Sequence, residues 1–216
     1  MTETIALQDV SLRDVLRNQT SDAHNRLHQH SSFEALFKES LGLEEYRQLI
    51  RRFHGFYAPL DLAIDRVMAG RTDDRAGYCY ARRSDLLEQD LRDLDFSHRS
   101  IRENPHCESV FDLVSPASLG GVLYVIEGAT LGGTGIDRAA RKLLGSEQPD
   151  GRRFWAWCRS ENKRRWSMTN RYLEHLHSDR RTMDALASGA CDTFRLLADW
   201  LAPLDRSFTA KKGERS

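Results

Sequence analysis

Four cysteines in 216 residues, Cys79, Cys107, Cys158 and Cys191, form no C-x-x-C pair. That scatter argues against a zinc ribbon or a thioredoxin-type redox site and predicts reduced thiols in a cytoplasmic protein. Net charge is lacking as well: 32 basic residues face 32 acidic ones, so no bulk field draws the chain to nucleic acid or to membrane lipid. No apolar run approaches the ~20 residues that span a bilayer, and the mean hydropathy is −0.59. The opening MTETIALQDV has neither the basic region nor the apolar core of a secretory signal. Alternating strand patterns, internal repeats and low-complexity linkers are missing too. What is left is one all-α domain with no nucleic-acid partner and no membrane span.

Helical spacing fills most of the chain. Ser11 and Asp14 resemble a capping box, and Leu12, Val15, Leu16, Ala23 and Leu27 follow as one apolar stripe. A second stripe runs through LEEYRQLIRRFHGFYAPLDLAIDRVM, where Pro59 is expected to bend or restart the helix. A polar loop is expected over 69–77, then a short helix capped by Ser84, then a loop in HRSIRENPHCES broken at Asn104-Pro105. Ser115-Pro116 opens the next helix, and two long helical segments, FWAWCRSENKRRWSMTNRYLEHL and TMDALASGACDTFRLLADWLAPL, close the fold. The expected domain covers 11–204, with a flexible N-terminus at 1–10 and a flexible tail at 205–216.

The helix after Ser115-Pro116 contains LYVIEGATLGGTGIDRAARKLLG, with glycines at 128, 132, 133 and 135. Each interior glycine costs a helix about 0.5–1 kcal/mol relative to alanine. Such a stretch is tolerated where helices pack backbone to backbone, or where a ligand must approach a bare main chain.

In the first helix His24 follows Leu16 by eight residues and precedes Leu27 by three, so it shares the inward face. A core histidine bonded to a carbonyl is one reading of that position. Arg17 supplies another, because seven residues are almost two turns and set it about 10 Å along the same side. An imidazole and a guanidinium so spaced suit a flat apolar disc with a central metal and carboxylates on one edge, which is haem. His24 and His28 also carry the i,i+4 spacing of zinc helices, but HNRLHQH lacks the glutamate of H-E-x-x-H. His28 reads otherwise as a group behind the ligand or on the surface.

Two stretches together resemble the haem oxygenase family. LRNQTSDAHNRL is similar to its proximal-helix pattern, and YVIEGATLGGTGI to its distal helix. YRQLIRRFHGFYAPLD and VIEGATLGG resemble the bacterial branch that accompanies bacteriophytochromes. The resemblance spans about residues 11–200 and loosens near Cys158 and Arg159, where a reshaped pocket rim is expected. It implies a single-domain helical fold with haem sandwiched between a proximal and a kinked distal helix. It assigns His24 as iron ligand, Arg17 as propionate partner, and Gly128, Gly132 and Gly133 as distal residues over the oxygen site.

The implied reaction opens haem, at once cofactor and substrate, to biliverdin with release of CO and iron. It takes O2 and electrons from an external donor such as ferredoxin or a flavin reductase, and biliverdin delivery to a bacteriophytochrome would follow. Where the best-known members place an aspartate after the first distal glycine, this sequence has Ala129. Thr130, Thr134 or water then become candidate proton sources, and haem binding or sensing without turnover becomes the competing function. A third reading is a helical scaffold that has lost haem.

Lys163, Arg164, Arg165 and Arg171 are further propionate candidates or a solvated basic face. Tyr124 is read as haem edge or core, and Phe154, Trp155, Trp157 and Trp166 as core or pocket wall. His54 is expected to be structural, and His98, His106, His175 and His177 to lie on the surface.

Overall fold

A computed structural model describes residues 12–70, 77–176 and 179–213. The expectations for residues 1–11, including the Ser11 cap, for most of the 69–77 loop and for His177 lie outside the described residues. Helices account for nearly everything else: α1 (Leu12–His28), α2 (Ser31–Phe37), α3 (Leu43–Ala69), α4 (Ser84–Asp93), α5 (His98–Arg102), α6 (Val110–Leu113) and α7 (Leu119–Gly128). A 3-10 turn, Ala129–Gly132, joins α7 to α8 (Gly133–Leu144), and α9 (Arg153–Glu174) and α10 (Arg180–Gly213) complete the chain. No strand occurs among the described residues.

Helix α7 lies on α10 and α9, α1 on α10, and α4, α6 and α10 on α3. Leu49, Ile50, Phe56 and Leu60 of α3 meet Leu87, Leu91, Val122 and Leu201 in one closed apolar core. All four thiols are free, as the scatter of cysteines predicts. The stretch Leu119–Leu144 reaches a mean hydropathy of 1.2 and is long enough to cross a bilayer by length and composition. Its apolarity has a local cause, since Leu119–Ile126 is buried against α9 and α10, and only Tyr124 within it is half-exposed.

Pro59 neither ends nor restarts its helix: α3 is continuous from Leu43 to Ala69. Proline removes the N–H that would serve the carbonyl four residues back. That carbonyl, Gly55 O, instead accepts the N–H of Cys107 at 2.9 Å. The bare Cα of Gly55 lets the Asn104-Pro105 segment come close enough, because a Cβ there would collide with Pro105 O. Asn104 completes the dock by donating to Arg51 O at 3.0 Å.

Ser84 is not the cap of α4. Asp61, two residues beyond Pro59 on α3, accepts the N–H groups of Arg83 (2.9 Å) and Ser84 (2.8 Å), so a carboxylate from another helix satisfies these donors. The segment expected as a loop at 98–109 contains α5, which Ser97 caps by accepting from Ser100 N at 3.2 Å. The last helix, Arg180–Gly213, carries Pro203 inside it. Asp205 ties it to the start of α2 by accepting Ser31 N–H at 3.0 Å. His30 adds a contact of Nε2 with Leu201 O at 3.2 Å.

Candidate functional site

A cavity of about 700 Å³ opens between α1, α3, the α7–α8 segment, α9 and α10. The volume falls within the range usual for a small-molecule site. Most of its wall is apolar or aromatic, including Phe53, Phe154, Trp155, Trp166 and Phe194.

The first helix supplies Arg13, Arg17, Thr20, His24 and His28 to one wall. His24 is exposed and lines the cavity, so it is not a packed core histidine. Its ring meets the edge of Phe194 at 5.9 Å and lies 4.4 Å from the ring of His28. Burial and the neighbouring His24 hold the His28 imidazole below its ordinary pKa. No group of three metal-ligating side chains exists among the described residues, so the i,i+4 histidine pair has no zinc site to join.

Another wall is the glycine-bearing segment, and here glycines 128, 132 and 133 separate. All of 128, 132 and 133 have negative, helical φ angles, −60°, −73° and −56°, so they are present for space and not for backbone freedom. A Cβ on Gly132 would meet nothing within 4 Å, and Gly132 borders the cavity. Gly128 also borders it, with Trp166 Cζ3 3.3 Å from where a Cβ would stand. Gly133 belongs elsewhere: it is buried against α9, and its Cβ would lie 2.5 Å from Cys158 Cβ. Helix packing explains that glycine.

A 3-10 turn, Ala129–Gly132, interrupts the α-helical pattern between the two helices. Thr130 is buried in the turn and donates to Glu127 O at 2.6 Å, while Ala129 is exposed on the cavity.

Tyr124 is half-buried on the wall, 5.5 Å from Trp166 between ring centres, and burial raises its pKa. The basic residues of α9 do not join the site. Arg171 and Lys163 are exposed away from the cavity wall, and Arg164 pairs with Glu161 at 2.6 Å. Thr134 also lies off the wall, bonded to Asn162 at 3.4 Å.

Cys158 lines the cavity, and burial pushes its thiol up to about 12. Arg159 pairs with the buried Asp137 at 3.1 Å. His54 is structural: burial, then the nearby His106, brings it down to about 4.

Sequence reasoning missed a buried ion cluster behind the distal wall. Glu127 has no exposed side-chain surface and pairs with Arg83 Nη2 at 2.6 Å and with Arg165 through both Nε (3.1 Å) and Nη2. Tyr78 donates to the same carboxylate at 2.5 Å. Burial raises the Glu127 carboxyl, but the two guanidinium ions outweigh it and leave the group below its ordinary pKa. Arg83 reaches the cavity wall itself, flanked by the rings of Tyr80 (4.8 Å) and Trp157 (5.2 Å). Residues 83, 127 and 165 share no local spacing, so no sequence pattern announces them.

The arrangement is that of the haem oxygenase-type helical fold. It superposes on haem oxygenase-1 of the cyanobacterium Synechocystis, solved in complex with haem, at a TM-score of 0.78 and 18% identity, covering 95% of this chain and 97% of that one. The haem oxygenase of Leptospira interrogans gives 0.76 at 17% identity, covering 90% of this chain and 100% of the other. A domain of unknown function with the same fold, from Shewanella denitrificans, gives 0.75 at 10% identity over 94% and 95% of the two chains. No curated protein sequence matches. The sequence model of the haem oxygenase family matches residues 10–203, and the chain belongs to that family.

Proposed function

We propose that the protein binds haem in the cavity and opens it oxidatively to biliverdin, with release of CO and iron. The observation that carries this reading is the presence of His24 and Gly132 on the walls of one apolar cavity. The donor set fits the group. An accessible imidazole suits haem iron, and the unfilled space at Gly132 is where any larger residue would intrude. Bound there, haem supplies the metal at which O2 is reduced and the porphyrin carbon that is oxidised.

The chain's own residues set the conditions. His24 holds the metal from α1, and Arg13 and Arg17 offer guanidinium groups to the carboxylates at one rim. Phe53, Trp155 and Phe194 exclude water from the ring faces. Gly128, Ala129 and Gly132 leave room on the distal side. The Thr130 hydroxyl spends its proton on Glu127 O, and its lone pairs stay able to accept. Electrons come from an external donor such as ferredoxin or a flavin reductase, and the product is of the kind a bacteriophytochrome takes up.

Ala129 favours a second reading, haem binding or sensing without turnover, since no carboxylate stands at that point of the wall. Hemin titration followed by reduction in air separates the two. A Soret band that converts to a bilin spectrum supports the oxygenase; a Soret band that persists under a competent reductase selects the binding protein. A protein that does not shift on titration refutes both.

A further inference from the structure

The ion cluster behind the distal wall is not explained by stability. Burying ions costs several kcal/mol each before their attraction is counted, and buried pairs are frequently no better than apolar substitutes. Here two guanidinium groups and one carboxylate are buried together: Arg83, Arg165 and Glu127 are 0%, 2% and 0% exposed.

The three charges sum to one positive unit. A second buried carboxylate, Asp61, which accepts from the Tyr80 hydroxyl (2.5 Å) and from the N–H groups of Arg83 and Ser84, brings the wider group to neutrality, but neither Asp61 nor Glu127 lines the cavity, so the charge presented to the chamber is that of Arg83. Arg165 turns away from the cavity, bonding Cys79 O at 2.7 Å and Tyr78 at 3.0 Å. Arg83 is the member that borders the cavity. Its orientation is fixed from three sides, by Glu127, by Ala81 O and by the rings of Tyr80 and Trp157. The result is a permanent cation that cannot swing out to water, set in the wall of a largely aromatic chamber.

We infer that Arg83, locked by Glu127, is a specificity-determining residue that makes this cavity favour anionic over neutral ligands on its inner side. The inference rests on the haem-binding reading. A fixed charge in a poorly hydrated site acts over longer distances than one in water, and a donor that is already oriented loses no entropy when a ligand arrives. Arg13 and Arg17 are no substitute, because both are exposed.

The test uses the full chain loaded with hemin, titrated with azide as the anion and imidazole as the neutral probe, and followed by absorption. Arg83→Gln should weaken azide on the order of tenfold, the effect of one unit charge over roughly 10 Å at an effective dielectric near 20. Imidazole affinity should stay within about twofold, and Arg83→Lys should keep most of the azide preference. Glu127→Gln, which keeps the shape and one acceptor oxygen, should tighten azide several-fold and leave imidazole alone. This second variant decides the matter if Arg83→Gln does not fold.

Azide and imidazole affinities that shift together in these variants, or do not shift at all, overturn the inference and leave the cluster a purely structural one. Wild-type protein that takes up no hemin refutes the haem reading itself, a result distinct from hemin uptake with no anion effect.

Discussion

Gly132 and Gly133 are adjacent, yet alanine should act on them in opposite ways. At Gly133 the new methyl would stand 2.5 Å from Cys158 Cβ and 3.1–3.2 Å from Cys158 C and Arg159 N. Two of those three atoms are backbone and none is the free end of a flexible side chain, so α8 and α9 must separate. Overpacking of this sort costs about 1–3 kcal/mol, and the gain in helix propensity returns at most about 1 kcal/mol of it. Gly133→Ala should therefore lower the urea midpoint by the equivalent of roughly 1–2 kcal/mol. At Gly132 nothing lies within 4 Å of the new methyl. Stability should hold or rise by up to about 0.5–1 kcal/mol, while the methyl occupies cavity space and changes hemin affinity. Urea unfolding and hemin titration of the two variants, side by side, measure both effects. A Gly133→Ala protein as stable as the wild type, or a Gly132→Ala protein clearly less stable, refutes the assignment of one glycine to packing and the other to the cavity.

His24→Ala should weaken hemin binding and abolish the imidazole-ligated Soret spectrum, whereas His28→Ala should retain it; the reverse pattern would move the ligand one turn along α1. Asn104 donates to His54 Nδ1 at 3.0 Å while its Oδ1 accepts from Arg51 Nε at 3.0 Å, which fixes the amide and requires an unprotonated Nδ1. With a folded pKa near 4 against 6.5 unfolded, this stability is complete above pH 6.5 and is lost as pH falls toward 4, by up to about 3 kcal/mol. His54→Gln should flatten that acid limb in melts recorded from pH 4 to 7. Asp90 has the opposite sign: burial lifts it to about 7 from 3.8 although it accepts Phe154 N–H at 3.0 Å, so its contribution is lost as pH rises from about 4 through 7. Asp90→Asn should remove that loss; the two slopes largely offset each other in the wild type, so the His54 and Asp90 variants should tilt the pH 4–7 melts in opposite directions, and variants that tilt the same way or not at all refute the two environments. Glu127→Ala strands two buried guanidinium ions and should cost about 3–5 kcal/mol in urea unfolding, with Glu127→Gln costing less.

The sequence was most informative where function and helix periodicity coincide. His24 and Arg17 lie on one face of one helix, and 3.6 residues per turn suffices to bring both to the cavity. The glycine cluster was equally visible, but its division was not. Neighbouring residues on a helix point about 100° apart, so position 132 meets the cavity while 133 meets α9, and only the placement of α9 tells which. Arg165 and Arg171 both looked like members of one basic run; the structure buries the first on Glu127 and leaves the second exposed. Pro59 and Ser84 misled for the same reason. Local rules assume that a lost donor or an open helix end must be answered nearby, whereas here Cys107 and Asp61 answer from other parts of the chain.

Ala129 and Glu127 show how the same non-locality bears on the site. The two are two residues apart, about 200° around the helix, and the structure places Ala129 on the cavity and Glu127 behind it. Glu127 thus cannot stand in for an acid on the cavity wall: its charge is already divided between Arg83 and Arg165, and its oxygen accepts the Tyr78 hydrogen bond. What the carboxylate does instead is hold a cation against the wall. A cavity with a fixed positive charge and no ionised acid on its distal segment stabilises negative charge on a bound ligand without pulling a proton from it. With the Thr130 proton committed to Glu127 O, water on the exposed Ala129 side is left as the proton source in the proposed reaction, and its rate should depend on solvent access there far more than on the pKa of a carboxylate.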